Sequence, residues 1–204
     1  MVLGKKNYKF LLNKRIKELK ESMKFFKVKK YKVQQINSRM VKDNLLKTFN
    51  SIKNIIKKYK IKIVFTPAYE GGHQDHDLAN FLASKFKNYV KVLEYSEYNY
   101  FNQKISSNTF FKINGNEIIY NLSEKDKKLK KMLLNIYVSE QKNLSYLTIE
   151  KECFRPISNY NYLLPAHSGT MFYKRFSFFN WHPRVDATSF SEIRGKIIKF
   201  NKLI

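Results

Sequence analysis

Cysteine, proline, glycine and arginine are all scarce in this 204-residue chain, and each shortage excludes something. The single cysteine, Cys153, rules out an internal disulfide and suits a reducing compartment. With 4 prolines and 6 glycines there is no Pro-rich or Gly/Ser linker, and no internal repeat is visible. One domain over residues 1–204 is therefore expected, long enough to bury a real core. No run approaches the roughly 18 consecutive apolar residues of a membrane span. The opening Met1-Val2-Leu3-Gly4-Lys5-Lys6 lacks the apolar stretch of a secretion signal, so a cytoplasmic location is the expectation.

Acidic residues are also few: 40 Lys and Arg face 16 Asp and Glu, for a net charge of +24. Such a balance draws anionic partners, nucleic acid or membrane surfaces, at least non-specifically. The cations, however, are nearly all lysine, with arginine confined to Arg15, Arg39, Arg155, Arg175, Arg184 and Arg194. Base readout and bidentate phosphate contacts favour arginine. Abundant Lys, Asn, Ile, Tyr and Phe is what an AT-rich coding bias produces without any ligand, and no specific nucleic-acid partner is expected. Hydrophobic residues at 43% and aromatics at 16% support a packed globule rather than disorder.

Ile16, Leu19, Met23 and Phe26 recur at helical spacing and predict a first helix over 13–26. A short strand, Tyr31 to Gln35, is expected next. Leu45, Phe49, Ile52 and Ile56 define one face of a helix over 41–59. The β-branched run 61–66, closed by Pro67, reads as a buried strand. A helix over 75–86 with Leu78, Phe81, Leu82 and Phe86 inward follows, then a strand over 89–95. That order predicts an α/β layered domain with a largely parallel sheet and flanking helices. Further on, 110–113 and 117–120 flank Asn114-Gly115-Asn116 and suggest a β-hairpin. Ser123 is placed to cap a helix reaching about Asn143. The proline- and aromatic-rich stretch 156–183 is read as irregular structure over the domain, with Trp181-His182-Pro183-Arg184 as a packing corner.

The histidines fall in two places, His73/His76 and His167/His182. The first pair follows the predicted strand through Gly71 and Gly72, at the end of the sheet where α/β domains bind ligands. Asp75 and Asp77 lie beside the imidazoles. A histidine can bind zinc through one ring nitrogen while a carboxylate holds the other, and the same pairing can instead make a general acid. Two histidines at this spacing can equally cap a helix or lie on the surface. A catalytic zinc needs about three protein ligands, and this loop offers two at most.

Val64-Phe65-Thr66-Pro67 followed by Glu70-Gly71-Gly72-His73-Gln74-Asp75-His76 resembles the PIG-L/LmbE-like family of metal-dependent N-deacetylases. Arg15, Glu18, Ser22 and Phe26 resemble that family's Arg-x-x-Glu helix. Lys130 to Tyr137 with Ser139 and Glu140 resembles a later Lys-rich helix. Segments 152–156 and 165–169 look like the tail of some bacterial members. The resemblance implies a Rossmann-like fold and hydrolysis of an N-acetyl group on an amino sugar or glycoconjugate precursor. It implies Zn2+ as cofactor with His76 as a ligand, His73 stabilising the oxyanion or protonating the leaving amine, and Asp75 orienting His73. His167 and Arg155 are candidate substrate contacts, with Arg155 paired to Glu152 as the plainer alternative. Cys153 reads as a buried apolar residue.

The family's other ligands and its carboxylate base come from a Pro-His-Pro-Asp-Asp-Glu-like motif in a first βαβ portion, and no such motif occurs in these 204 residues. The expectation is an N-terminally truncated domain, from a late start or frameshift, inactive alone. A basic binding module for nucleic acid or anionic surfaces and a degenerate scaffold are the alternatives.

Overall fold

The computed structural model describes residues 5–179, 181 and 185–204, so that His182, Pro183 and Arg184 of the expected packing corner lie outside the described residues. The helices are α1 (Lys5–Phe25), α2 (Leu45–Tyr59), α3 (Gln74–Ser84), α4 (Glu124–Ile136), α5 (Gln141–Leu144) and α6 (Phe190–Asn201). The strands are β1 (Ile63–Pro67), β2 (Lys91–Tyr95), β3 (Tyr98–Asn99), β4 (Ser106–Ser107), β5 (Ile118–Asn121) and β6 (Lys151–Pro156). The chain divides into two compact units, Met1–Gln35 with Asn121–Lys151, and Ile36–Tyr120 with Glu152–Ile204.

In the first unit α1 begins earlier than its apolar stripe predicts and leaves Phe26 exposed beyond its end. The buried positions are instead Glu18 and Ser22. Glu18 accepts from the Ser139 backbone N–H at 2.9 Å and from its hydroxyl at 2.5 Å, and Arg15 pairs with Glu140. Ser123 caps α4 as expected, accepting from the Asp126 N–H at 3.2 Å. The helix does not run on to Asn143. The Ser139 N–H, which an unbroken helix would direct to its own preceding turn, goes to Glu18, and a 3-10 turn over Val138–Glu140 intervenes before α5.

The second unit is a mixed α/β layer. Its sheet has the order β1-β2-β6-β5. β1 and β2 are parallel, with Phe65 opposite Leu93, whereas β2 and β6 are antiparallel, with Tyr95 opposite Phe154. The sheet is thus mixed rather than mostly parallel. β1 and β2 are joined through α3, which enforces the parallel crossover; β2 and β6 are separated by β3, β4, β5, α4 and α5, a connection long enough to allow either direction. β1 stands at the sheet's edge and only one of its faces is well covered, so the strand expected to be buried alternates instead: Thr66 is buried while Phe65 is 55% exposed.

The core lies between α2, α3 and α6. Leu45, Leu78, Phe81, Leu82, Ile193, Ile197 and Phe200 are buried together, with Phe49 and Ile52 packed against them. The α2 face expected from Leu45, Phe49, Ile52 and Ile56 is the one turned inward, and the helix ends at Lys60, whose positive φ lets its N–H reach the Ile56 and Lys57 carbonyls. Asn80 fastens α3 to the sheet, donating to the Pro67 carbonyl at 2.8 Å and to Glu94 at 2.9 Å while accepting from the Tyr162 hydroxyl at 2.6 Å.

Two expected strands are absent. Residues 31–35 have no regular structure. Residues 110–113 are not a strand either, so the hairpin does not form. The Glu117 carboxylate accepts from the backbone N–H groups of Asn114 at 2.8 Å and Gly115 at 2.9 Å, fixing a local turn, while Arg155 takes the Lys112 carbonyl. β5 then joins β6. Arg155, at the centre of this arrangement, also donates to Glu94 at 2.7 Å and Glu117 at 2.9 Å and lies 3.8 Å from the Phe110 ring. Replacing Arg155 with leucine leaves the fully buried Glu94 carboxylate without its cation, and urea denaturation should show a loss of about 3–5 kcal/mol. A loss within error of wild type would show that the pair is not what holds β2 to β6.

Candidate active site

Chain leaving β1 at Pro67 is buried through Ala68, Tyr69, Glu70, Gly71 and Gly72, and a buried loop must have its polar groups satisfied from within. Asp77, in the first turn of α3, accepts from the Glu70 N–H at 3.2 Å and the Gly71 N–H at 3.0 Å. Glu70 turns its own carboxylate to the chain leaving β2, accepting from the Glu97 N–H at 2.6 Å, the Ser96 hydroxyl at 2.9 Å and the Tyr98 N–H at 3.0 Å. Burial pushes both carboxyls up to about 7 despite these donors. Two glycines permit the packing. Gly71 has φ +69° and a Cβ there would meet the Met171 sulfur at 2.3 Å; one on Gly72 would meet the Tyr98 carbonyl oxygen at 2.3 Å.

This loop delivers His73 to the N-cap of α3, in extended backbone conformation. Its Nδ1 accepts the Asp75 backbone N–H at 3.1 Å. The hydrogen bond fixes the neutral tautomer: with Nδ1 an acceptor, the proton sits on Nε2. Burial, and then the neighbouring His76, lower the His73 pKa and keep it in that neutral form. His76, one turn on, is held in the opposite sense. Its Nδ1 lies 3.1 Å from a Glu97 carboxylate oxygen, so in the neutral ring Nδ1 carries the proton and Nε2 the lone pair. Burial opposes charge on His76, but the Glu97 hydrogen bond and the charges of Glu97, Asp77 and Glu70 outweigh it and raise its pKa. The two rings are 5.2 Å apart, and both side chains are partly open to solvent. One helix start thus presents an N–H donor beside an imidazole lone pair.

The other expected residues fall as follows. The Asp75 carboxylate lies 3.9 Å from His73 Nδ1 and is engaged elsewhere, accepting the Arg39 N–H at 2.6 Å and the Val41 N–H at 3.3 Å; the main-chain N–H of Asp75, rather than its carboxylate, bonds His73. His167 is buried beside Gly71, between Phe101 and Phe111. Its Nδ1 is 2.9 Å from the Ser168 carbonyl, which leaves Nε2 as an acceptor, buried and with no hydrogen-bond partner among the described residues. Arg155 is occupied by Glu94, Glu117, Tyr160 and the Lys112 carbonyl, so its ion pairing is with Glu94 and Glu117 rather than Glu152. Cys153 is buried with Ala68 and Phe110, as expected of an apolar residue.

Two residues at the site were not anticipated. Glu97 is one, and nothing in the sequence marks it, because its reach to His76 depends on the bend after β2. Asp186 is the other. It accepts from the buried Gln74 side chain at 2.5 Å and from the Thr188 N–H at 3.0 Å, while Thr188 also receives Gln74 at 3.1 Å and Lys42 at 2.9 Å. Segments 39–42 and 186–188 therefore clamp the start of α3.

A catalytic zinc needs about three protein ligands. Among the described residues no group of three or more His, Cys, Asp or Glu could hold a metal ion. His76 with Glu97 behind it has the form of one ligand and its supporting carboxylate, but the described set does not fit a whole metal site. No helix among the described residues is long and apolar enough to cross a membrane.

Glu70 supplies a direct check of the loop. Its folded pKa, about 7, exceeds its ordinary value of 4.5, so the folded state holds an extra proton between those values. Stability should fall as pH rises from 4.5 to about 7 and level off above, with Asp77 acting in the same direction. Glu70→Gln should remove about half of that slope in pH-dependent urea denaturation. An unchanged slope would contradict the burial of this carboxyl.

Compared with known proteins, residues 3–87, less than half of the chain, match the family model described as GlcNAc-PI de-N-acetylase (PIG-L). No curated protein and no solved structure matches the chain.

Proposed function

Taking the chain as a PIG-L/LmbE-like protein over residues 3–87, we propose that it is a hydrolase of the de-N-acetylase type, acting on the N-acetyl group of an amino sugar or glycoconjugate precursor. The observation that supports this most is the pair of opposite tautomers at the start of α3. An amide hydrolase needs a donor for the oxygen that gains charge in the tetrahedral intermediate, or for the departing amine. The Nε2–H of His73 is such a donor, neutral and already oriented. His76, with Nε2 free to coordinate and Glu97 fixing the ring, is proposed as a single ligand of a zinc ion. Asp75 holds the turn against 39–41 and fixes His73 through its N–H. His167, its Nε2 buried between Phe101 and Phe111, is given no substrate contact. Arg155 takes no part.

The remaining metal ligands and the carboxylate that activates water are those the family resemblance assigns to a Pro-His-Pro-Asp-Asp-Glu-like segment, which these 204 residues do not contain. We therefore propose that the chain alone holds zinc weakly and hydrolyses little. Zinc content after dialysis and acetate release from N-acetylglucosamine derivatives test both points. The chain alone should retain far less than one zinc and release acetate at the buffer rate. Adding a Pro-His-Pro-Asp-Asp-Glu-like segment should raise both, and His73→Ala should then cut turnover by about 10²–10³-fold while zinc stays bound. Tight stoichiometric zinc with His73-sensitive turnover in the chain alone would overturn the dependence on that segment. Restored turnover indifferent to His73 would overturn its assigned role.

A further inference from the structure

A surface of aromatic side chains lies on the same chain that covers the Gly71 loop. Phe172 is buried, donates its N–H to the Gly71 carbonyl at 2.8 Å and packs on Tyr98. Arg175 lies over the Phe172 ring at 3.6 Å and the Phe176 ring at 4.6 Å and bonds the Phe172 carbonyl, while Lys174 bonds the Asp186 carbonyl. The base of this stretch is thus tied to the turn that carries His73. Beyond it the side chains point outward. Phe176 is 54% exposed, Phe178 90%, Phe179 48% and Trp181 78%. Leu164, whose carbonyl accepts from the Tyr69 hydroxyl of the same loop, is likewise exposed.

Leaving four large aromatic rings in water forgoes the transfer free energy their burial would release. Contiguous exposed apolar side chains of this kind mark an interaction surface. Charge and ring geometry decide which. The chain carries +24, so an anionic surface is strongly favoured over a neutral or basic one. Single-stranded nucleic acid is anionic too, but it is bound on ring faces that stack bases. Here successive rings stand edge to face, Phe178 to Phe179 at 88° and Phe179 to Trp181 at 72°, which is not a stacking platform. Phenylalanine and tryptophan beside lysine and arginine suit a bilayer interface, where rings enter the acyl boundary and cations meet phosphate.

We propose that residues 174–179 and Trp181 dock this protein on an anionic lipid surface, placing the His73 turn at the membrane–water boundary. This goes beyond the hydrolase reading and does not depend on it. Trp181 is the only tryptophan in the chain, so its emission reports this surface directly.

Full-length protein should be titrated with phosphatidylcholine vesicles and with mixed phosphatidylcholine–phosphatidylglycerol vesicles. The anionic vesicles should shift Trp181 emission to the blue, and brominated acyl chains should quench it. Phe178→Ser, at a site too exposed to unfold the protein, should weaken binding about tenfold, the effect of losing one partly inserted ring. Co-sedimentation with unchanged Trp181 emission, or with Phe178→Ser binding as well as wild type, would mean adsorption by charge alone and overturn the proposal. An equal emission shift with a single-stranded oligonucleotide would overturn it in favour of nucleic acid. A concentration-dependent shift without lipid would do so in favour of self-association.

Discussion

Asp77 accepting the backbone N–H groups of Glu70 and Gly71 is the interaction on which the rest of the site depends. The loop between β1 and α3 is buried, and a buried loop persists only if its polar groups find partners inside the protein. Asp77 closes the loop on its own helix. Glu70, thereby turned toward the end of β2, organises the backbone of Glu97 and Tyr98 and so brings the Glu97 side chain to His76. One carboxylate sets the turn and a second builds the wall that orients a histidine. Glycine at 71 and 72 is required because Met171 and the Tyr98 carbonyl occupy the space a side chain would need.

Periodicity made the scaffold under the site legible. The α2 face, the strand at β1, the inward side of α3 and the strand at β2 all follow from apolar spacing, and the position of His73 and His76 beyond a strand end follows with them. What the sequence concealed depends on contacts distant along the chain. β1 looked buried because its run is β-branched, yet it is an edge strand with one face open. Asn-Gly-Asn suggested a hairpin, but Glu117 and Arg155 draw the backbone into a turn that pairs with nothing before it. α6 carries its own local signal, with Ser189 and Glu192 forming a helix start and Ile193, Ile197 and Phe200 keeping helical spacing. Glu97 and Asp186 carry no local mark at all.

At the start of α3 two imidazoles in one turn carry their protons on opposite nitrogens. A main-chain N–H fixes one and a carboxylate fixes the other, so their difference is built by the fold rather than left to solvent. One turn thereby sets an imidazole N–H donor beside an imidazole lone pair, the observation on which the proposed hydrolase reading rests. The aromatic surface beside it concerns where the protein works rather than what it does.

Long-range ¹H–¹⁵N correlation spectra of histidine-labelled protein, recorded where both rings are neutral, test the central claim most directly. An Nε2–H tautomer for His73 and an Nδ1–H tautomer for His76 are expected, with Glu97→Ala altering only the second. The same tautomer on both rings, or a His76 signal indifferent to Glu97→Ala, would contradict it.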